Sequence, residues 1–284
     1  MNQTATNEKT FAAADTPTGR GLCAERLTLG YGAAPVVRDL DLRIAEGEFV
    51  AIVGPNGCGK STLLKALGRV LRPKSGRVLL HGRDIRAQRS KEVARQLALL
   101  PQNPAVPESI TVRSLAARGR YPHHTLLRQW SPDDEAAIGE ALELTGLADR
   151  ADTPVEALSG GQRQRAWAAM ILAQRTGIVL LDEPTTFLDI AHQFDILDLC
   201  AELHESGRTL VAVLHDLNQA CRYATHLIVM RAGRIVAEGD PNRIITPALI
   251  EEVFGLRCEV IPDPQTGTPM IVPEARRRVP AASV

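Results

Sequence analysis

Short, wholly apolar runs alternate with amphipathic stretches along most of this 284-residue chain. Phe49–Val53 (FVAIV) runs into a glycine-rich loop and then a helical pattern over Ser61–Leu71. Ile178–Leu181 is followed by an acidic turn and a helical pattern over Ile190–Glu205. Leu210–Leu214 gives way to His215-Asp216 and a helical pattern over Leu217–Ala224. Apolar runs this short, with no polar alternation, fit strands buried on both faces. Strand, loop and helix, repeated, predict an α/β fold built on a parallel sheet. Its functional loops are then expected at the carboxyl ends of the strands.

The stretch from about residue 103 to 158 breaks this rhythm. It has helical patterns at Thr111–Gly119 and Asp133–Thr145, joined by RYPHHTLLRQWSP, and no convincing strand. It reads as a helical insert between two halves of the sheet domain. After Thr225 the pattern turns extended again, with HLIVM and RIVAEG flanking an Arg-Ala-Gly-Arg turn. CEVIP and PMIVP around DPQTGT predict a last hairpin within 259–284. Residues 1–20 and Glu274–Val284 read as flexible tails, and Arg276–Arg278 as a solvated basic triplet.

Charge and cysteines narrow the function classes. Lys+Arg and Asp+Glu balance at 33 each, so no global basic field argues for nucleic acid. The five cysteines (Cys23, Cys58, Cys200, Cys221, Cys258) show no CxxC spacing and suit a reducing compartment. The polar start has no apolar core of a secretory signal, and no apolar run approaches the 18 residues that suggest a span. A cytoplasmic chain that does not cross a membrane by itself is expected.

Three blocks carry chemistry. Gly54-Pro55-Asn56-Gly57-Cys58-Gly59-Lys60-Ser61 fits G-x-x-x-x-G-K-[ST], and it lies between a buried strand and a helix, where a phosphate cradle must lie. Its N–H groups, with Thr62 at the end of the loop, close on phosphate oxygens. Lys60 reaches the β- and γ-phosphates, and the Ser61 hydroxyl is a natural Mg²⁺ ligand. Cys58 near the positive end of a helix predicts an unusually reactive thiol, whose alkylation blocks nucleotide binding. Asp182-Glu183, at the end of an apolar strand, suits a Mg²⁺-binding aspartate followed by a general base. Two such acids also suit the cap of the next helix. Ser159-Gly160-Gly161-Gln162 opens a helix with bared N–H groups, a second anion cradle. A plain N-cap is the alternative, although a cap needs no glycine pair.

In this order the three blocks resemble the ATP-binding subunit of ABC transporters, and the resemblance covers about residues 22–255. It implies a P-loop NTPase core with a RecA-like parallel sheet, an N-terminal antiparallel β subdomain, and a helical subdomain over about 103–165. The whole ATPase domain would span 21–258. It also implies roles for further residues. Tyr31 becomes the aromatic that stacks on adenine, and Gln102 the glutamine that contacts Mg²⁺ and the attacking water. Asp189 falls in the loop that crosses between subunits, and His215 becomes the switch histidine that meets the γ-phosphate. ATP and Mg²⁺ are the implied ligands. The second cradle then serves the nucleotide of a partner subunit, so an ATP-dependent homodimer is expected.

With no span of its own, such a chain needs two separate membrane permease subunits and, indirectly, a substrate-binding protein. It would sit on the cytoplasmic face of the cell membrane. RGRYPHH at Arg118–His124, LDEPTTFLDIAHQ at Leu181–Gln193 and the tail at Phe254–Pro273 resemble the ATPases of the ferric-siderophore, haem and vitamin B12 uptake group, and most of all the ferric-siderophore members. The adjacent His123 and His124 are expected to be loop residues rather than metal ligands. A soluble ATPase of DNA repair or translation is the alternative of another class. The short insert leaves no space for the long coiled coil of the first, and a single cassette disfavours the second.

Overall fold

A computed structural model describes residues 20–274, apart from 103, 105–107 and 126–129. The expected tails therefore lie outside the described residues except for Arg20 and Glu274, and so does the Arg276–Arg278 triplet.

The apolar runs form a six-stranded sheet whose strands, one edge strand apart, are buried on both faces in their centres. From one edge the order is β10 (Arg234–Gly239), β9 (His226–Arg231), β3 (Phe49–Val53), β8 (Thr209–Val213), β7 (Ile178–Asp182) and β6 (Leu97–Leu100). Every neighbouring pair is parallel except β9 and β10, the Arg231–Arg234 hairpin at the edge. β3 shows why its run has no polar position. Phe49, Ala51 and Val53 pack into one core, and Val50 and Ile52 into the other.

The second core lies under a four-stranded antiparallel sheet, in the order β2 (Val37–Ile44), β1 (Leu22–Leu29), β4 (Ser75–Leu80) and β5 (Arg83–Asp84). Helix α1 (Lys60–Leu67) fills the space between the two sheets with Leu63, Leu64 and Leu67 fully buried. Each such buried leucine is worth about 1.5–3 kcal/mol over an exposed one.

The first core holds the helices of the insert. A short α2 (Ser90–Ala94) precedes β6. α3 (Val112–Arg118) and α4 (Pro132–Leu144) then start at Thr111 and Ser131, whose side chains accept N–H groups of the first turn. α5 (Gly160–Ala173) packs on both of them and ends against β6. α6 (Ile190–Glu205) follows β7, and α7 (Leu217–Tyr223) follows β8, as the apolar pattern predicts. After β10 come α8 (Pro241–Ile244), α9 (Pro247–Phe254) and the expected hairpin of β11 (Cys258–Pro262) and β12 (Pro269–Pro273).

The hairpin is tied to α7. The Asn218 amide donates to the Ile271 carbonyl at 3.3 Å, and its oxygen accepts the Ile271 N–H at 2.7 Å. Arg222 pairs with the buried Asp263 at 2.7 Å.

Candidate nucleotide site

The loop between β3 and α1 owes its shape to Gly54. Its φ of 151° is open to glycine, and a Cβ there would lie 2.1 Å from the Met230 carbonyl oxygen of β9. The same Cβ would touch the Cys58 sulfur at 2.9 Å, so that thiol is folded beneath the loop. Lys60 is buried and donates to the carbonyls of Gly54 at 2.8 Å and Pro55 at 3.1 Å. An ammonium has three donors, and the third is left for the cavity that Lys60 lines.

That cavity has a volume of about 400 Å³, and its walls come from five separate segments. Asn56, Gly57, Gly59, Lys60, Ser61 and Thr62 form one side; Gln102, Glu183 and His215 form the other. These three arrive from the carboxyl ends of β6, β7 and β8, where the alternating pattern puts functional loops. His215 Nε2 lies 2.6 Å from Glu183 Oε1. The Gln102 amide donates to the other oxygen, Oε2, as does the Thr186 hydroxyl at 3.1 Å. Gln102 spends its amide N–H this way, so its carbonyl oxygen stays available to a cation or a water.

Asp182 is only 2% exposed, and burial raises its carboxyl above the ordinary range, against a hydrogen bond from Ser61 and the charge of Lys65. Its Oδ1 is buried without a hydrogen-bond partner among the described residues. A buried carboxylate oxygen with no donor, beside a serine hydroxyl and a phosphate loop, is the donor set that suits Mg²⁺. That ion takes one or two carboxylates, keeps several waters and completes its shell with phosphate. The residues fit the ion. The alternative reading of Asp182 and Glu183 as helix caps fails, because Asp189 caps α6.

One expectation is overturned here. Cys58 is 5% exposed, and burial pushes its thiol above the usual value, outweighing the Lys60 charge and the N–H groups of the loop. A buried thiol raised in this way is the opposite of the reactive one expected. The helix end was read correctly, but the loop turns the side chain inward against Gly54.

The remaining sequence-marked residues are not in the cavity. Ser159, Gly160, Gly161, Gln162 and Asp189 do not line it. Ser159 accepts the Gln162 N–H at 3.3 Å, and the Gln162 side chain accepts the Ser159 N–H at 3.1 Å, a reciprocal capping box. The cap reading is thus correct as far as it goes, and the glycines answer to something else. A Cβ on Gly160 would meet nothing within 4 Å, whereas one on Gly161 would collide with the ring of His192. Tyr31, 68% exposed, belongs to the β1–β2 loop, from which Val36 and not Tyr31 reaches the cavity wall. His123 bonds the Gln174 carbonyl at 2.9 Å, and the His124 ring packs on Trp130.

Sequence reading missed Thr186, Val36 and His192. Thr186 sits three residues after Glu183, and that spacing across a turn was its available signal. Val36 and His192 carried none, because only the folded chain brings them to the loop and to Gly161.

A glycine loop, a buried aspartate at a strand end, and a glutamate held between an amide and an imidazole define a P-loop nucleoside triphosphatase. The family model for ABC transporters matches residues 37–186, and the chain belongs to that family. It is 57% identical over 256 residues to the ferric enterobactin transport ATP-binding protein of Escherichia coli (strain K12), covering 90% of this chain and 94% of that one. It is 54% identical over 258 residues to the probable siderophore transport system ATP-binding protein of Bacillus subtilis (strain 168), with the same coverage. Among solved structures it superposes on a chain of an inward-facing ABC transporter with a TM-score of 0.77 at 27% identity, covering 91% of this chain and 98% of that one. A dimeric ATP-binding cassette solved with ADP and phosphate gives a TM-score of 0.68 at 27% identity, over 77% of this chain and 98% of that one.

The chain is therefore an ATPase coupled to transport, of a family whose ATP-binding domains form dimers and work with membrane permeases. Among the described residues no helix is long and apolar enough to cross a membrane.

Proposed function

We propose that this chain energises the import of ferric siderophores. What carries the reading is its likeness, along nine-tenths of its length, to ATP-binding proteins named for ferric enterobactin and siderophore transport. In this reading residues 21–258 form the ATPase domain, with a helical part over about 103–165, and the C-terminal hairpin is an addition packed on α7. Two copies work beneath two permease subunits on the cytoplasmic face of the membrane, and a substrate-binding protein delivers the cargo.

The cavity then performs phosphoryl transfer from ATP to water. Loop N–H groups of Gly54–Thr62 and the third donor of Lys60 hold the β- and γ-phosphates, and Tyr31 stacks on the adenine. Ser61, Asp182 and Gln102 hold Mg²⁺, which when bound neutralises charge shared by the β- and γ-phosphate oxygens. Glu183 takes a proton from the attacking water as general base. Gln102 and His215 fix its two carboxylate oxygens, and His215 also faces the γ-phosphate. Ser159, Gly160, Gly161 and Gln162 of one copy, with its Asp189, close over the nucleotide of the other. Their absence from the lining of their own cavity supports that assignment.

Uptake of labelled ferric siderophores, haem and cobalamin in a strain carrying Lys60→Ala tests the reading. Loss of siderophore uptake alone is expected. Loss of haem or cobalamin uptake with siderophore uptake intact contradicts it, and a hemin import ATP-binding protein 41% identical to this chain marks where the correction would lie.

A further inference from the structure

His192, on the first turn of α6, touches two elements at once. Its ring lies against Gly161 so closely that a methyl group there would sit 2.4 Å from Cδ2, 2.8 Å from Cγ and 3.0 Å from Nε2. Its Nδ1 lies 2.5 Å from Oδ1 of Asp189, and that same oxygen accepts the His192 backbone N–H at 3.0 Å. These two hydrogen bonds hold the Asp189 carboxyl below its ordinary range, so it is an anion that only accepts, and Nδ1 carries the proton.

The backbone bond alone is enough to cap α6. The ring bond adds something a cap does not need: it fixes the imidazole, and the imidazole fills the space left bare at Gly161. An alanine at 161 could be accommodated by swinging the ring away, but only by breaking its bond to Asp189. The glycine, the ring and the carboxylate are thus one arrangement.

We propose that His192 is a positioning residue that ties Asp189 to the helix start Ser159–Gly161. The two then present one preformed surface to the nucleotide of a partner subunit. This rests on the reading that the second cradle serves a partner. A surface ordered beforehand does not have to be ordered during dimer closure, which favours association.

The test starts from Glu183→Gln, expected to dimerise in ATP without turning it over. Adding His192→Ala should weaken ATP-dependent dimerisation by about three- to tenfold, the cost of ordering a side chain or two anew at an interface. Binding of ATP to the monomer and the melting temperature should stay as in the parent. His192→Asn, which keeps a donor near the Nδ1 position, should recover part of the loss. Dimerisation by His192→Ala equal to the parent overturns the proposal.

A double-mutant cycle with Gly161→Ala, read on steady-state ATPase in the Glu183 protein, decides it independently. The Gly161→Ala defect should shrink by at least about threefold once the ring is gone, the coupling expected of side chains in contact. An undiminished defect would mean that the ring does not depend on the glycine, and the proposal falls. If Glu183→Gln itself fails to dimerise, the partner reading has failed, and the cycle still judges the His192 link.

Discussion

Nε2 of His215 lies 2.6 Å from Oε1 of Glu183, although the two leave the ends of different strands. With Gln102 and Thr186 on Oε2, both carboxylate oxygens are held. Glu183 has a φ of 55°, a left-handed conformation that costs a non-glycine residue about 1–3 kcal/mol and persists only where the surroundings impose it. Its partners are those surroundings. They aim the carboxylate into the cavity beside Lys60 and Ser61.

Replacing Glu183 with Gln removes the base and keeps the shape. ATPase turnover should fall by about 10²–10⁴-fold, the usual range for a general base, with ATP binding retained. Single-turnover hydrolysis beside equilibrium binding of labelled ATP checks this. A wild-type rate would place the base elsewhere.

Cys58 should react slowly. Burial has raised its thiol, so less thiolate is present at neutral pH than for a free cysteine, and modification should speed up as pH rises. Among the five thiols Cys23 alone is half-exposed, and it should be alkylated first. Peptide mapping by mass spectrometry after a timed pulse of reagent reads the order. Preferential labelling of Cys58 would mean that the loop opens readily.

The helical insert depends on a buried ion pair that its sequence conceals. Arg120, just after α3, meets Asp134 at 2.7 Å and Asp133 at 2.8 Å, and donates to the Ala173 carbonyl at 3.0 Å. Burial pushes the Asp134 carboxyl up, but hydrogen bonds from Arg120 and Ser131 outweigh it and leave the carboxyl below its ordinary value. A lowered native pKa gives stability that is present above the unfolded value of about 3.9 and lost as pH falls through the native one. Asp134→Ala should therefore cost about 3–5 kcal/mol at neutral pH, because it leaves a buried guanidinium short of a partner. Denaturant titrations of both proteins across pH 2–7 should show that difference shrinking in acid. A constant difference would assign the cost to packing alone.

The hairpin should respond to Asn218→Ala, which removes two hydrogen bonds to Ile271. A loss of about 1–3 kcal/mol is expected from backbone groups left unpaired. Faster amide exchange at Ile271, with exchange in β3 unchanged, is the signature to look for.

What could be read from the chain was what repeats locally. The runs at Phe49–Val53 and Ile178–Leu181 gave their strands away because burial on both faces leaves no polar position. The phosphate loop was legible because its residues are contiguous. The contacts that align the site were not, because spacing along a chain does not say which distant residues meet. Gln102 and Glu183 were named as site residues, but their hydrogen bond spans 81 positions. Asp133 and Asp134 looked like ordinary acids at a helix start and gave no hint of Arg120. Cys58 went wrong for the same reason: its position at a helix end was visible, and the inward turn of its side chain was not.

The role proposed for Ser159-Gly160-Gly161 is to act on a partner's nucleotide. Ser159→Phe added to Glu183→Gln tests it most directly, by light scattering in the presence of labelled ATP. Glu183→Gln should become a dimer on adding ATP, while the double variant should stay a monomer that still binds ATP with the parent's affinity. A double variant that loses ATP binding would mean that Ser159 serves its own chain's site and not a partner's.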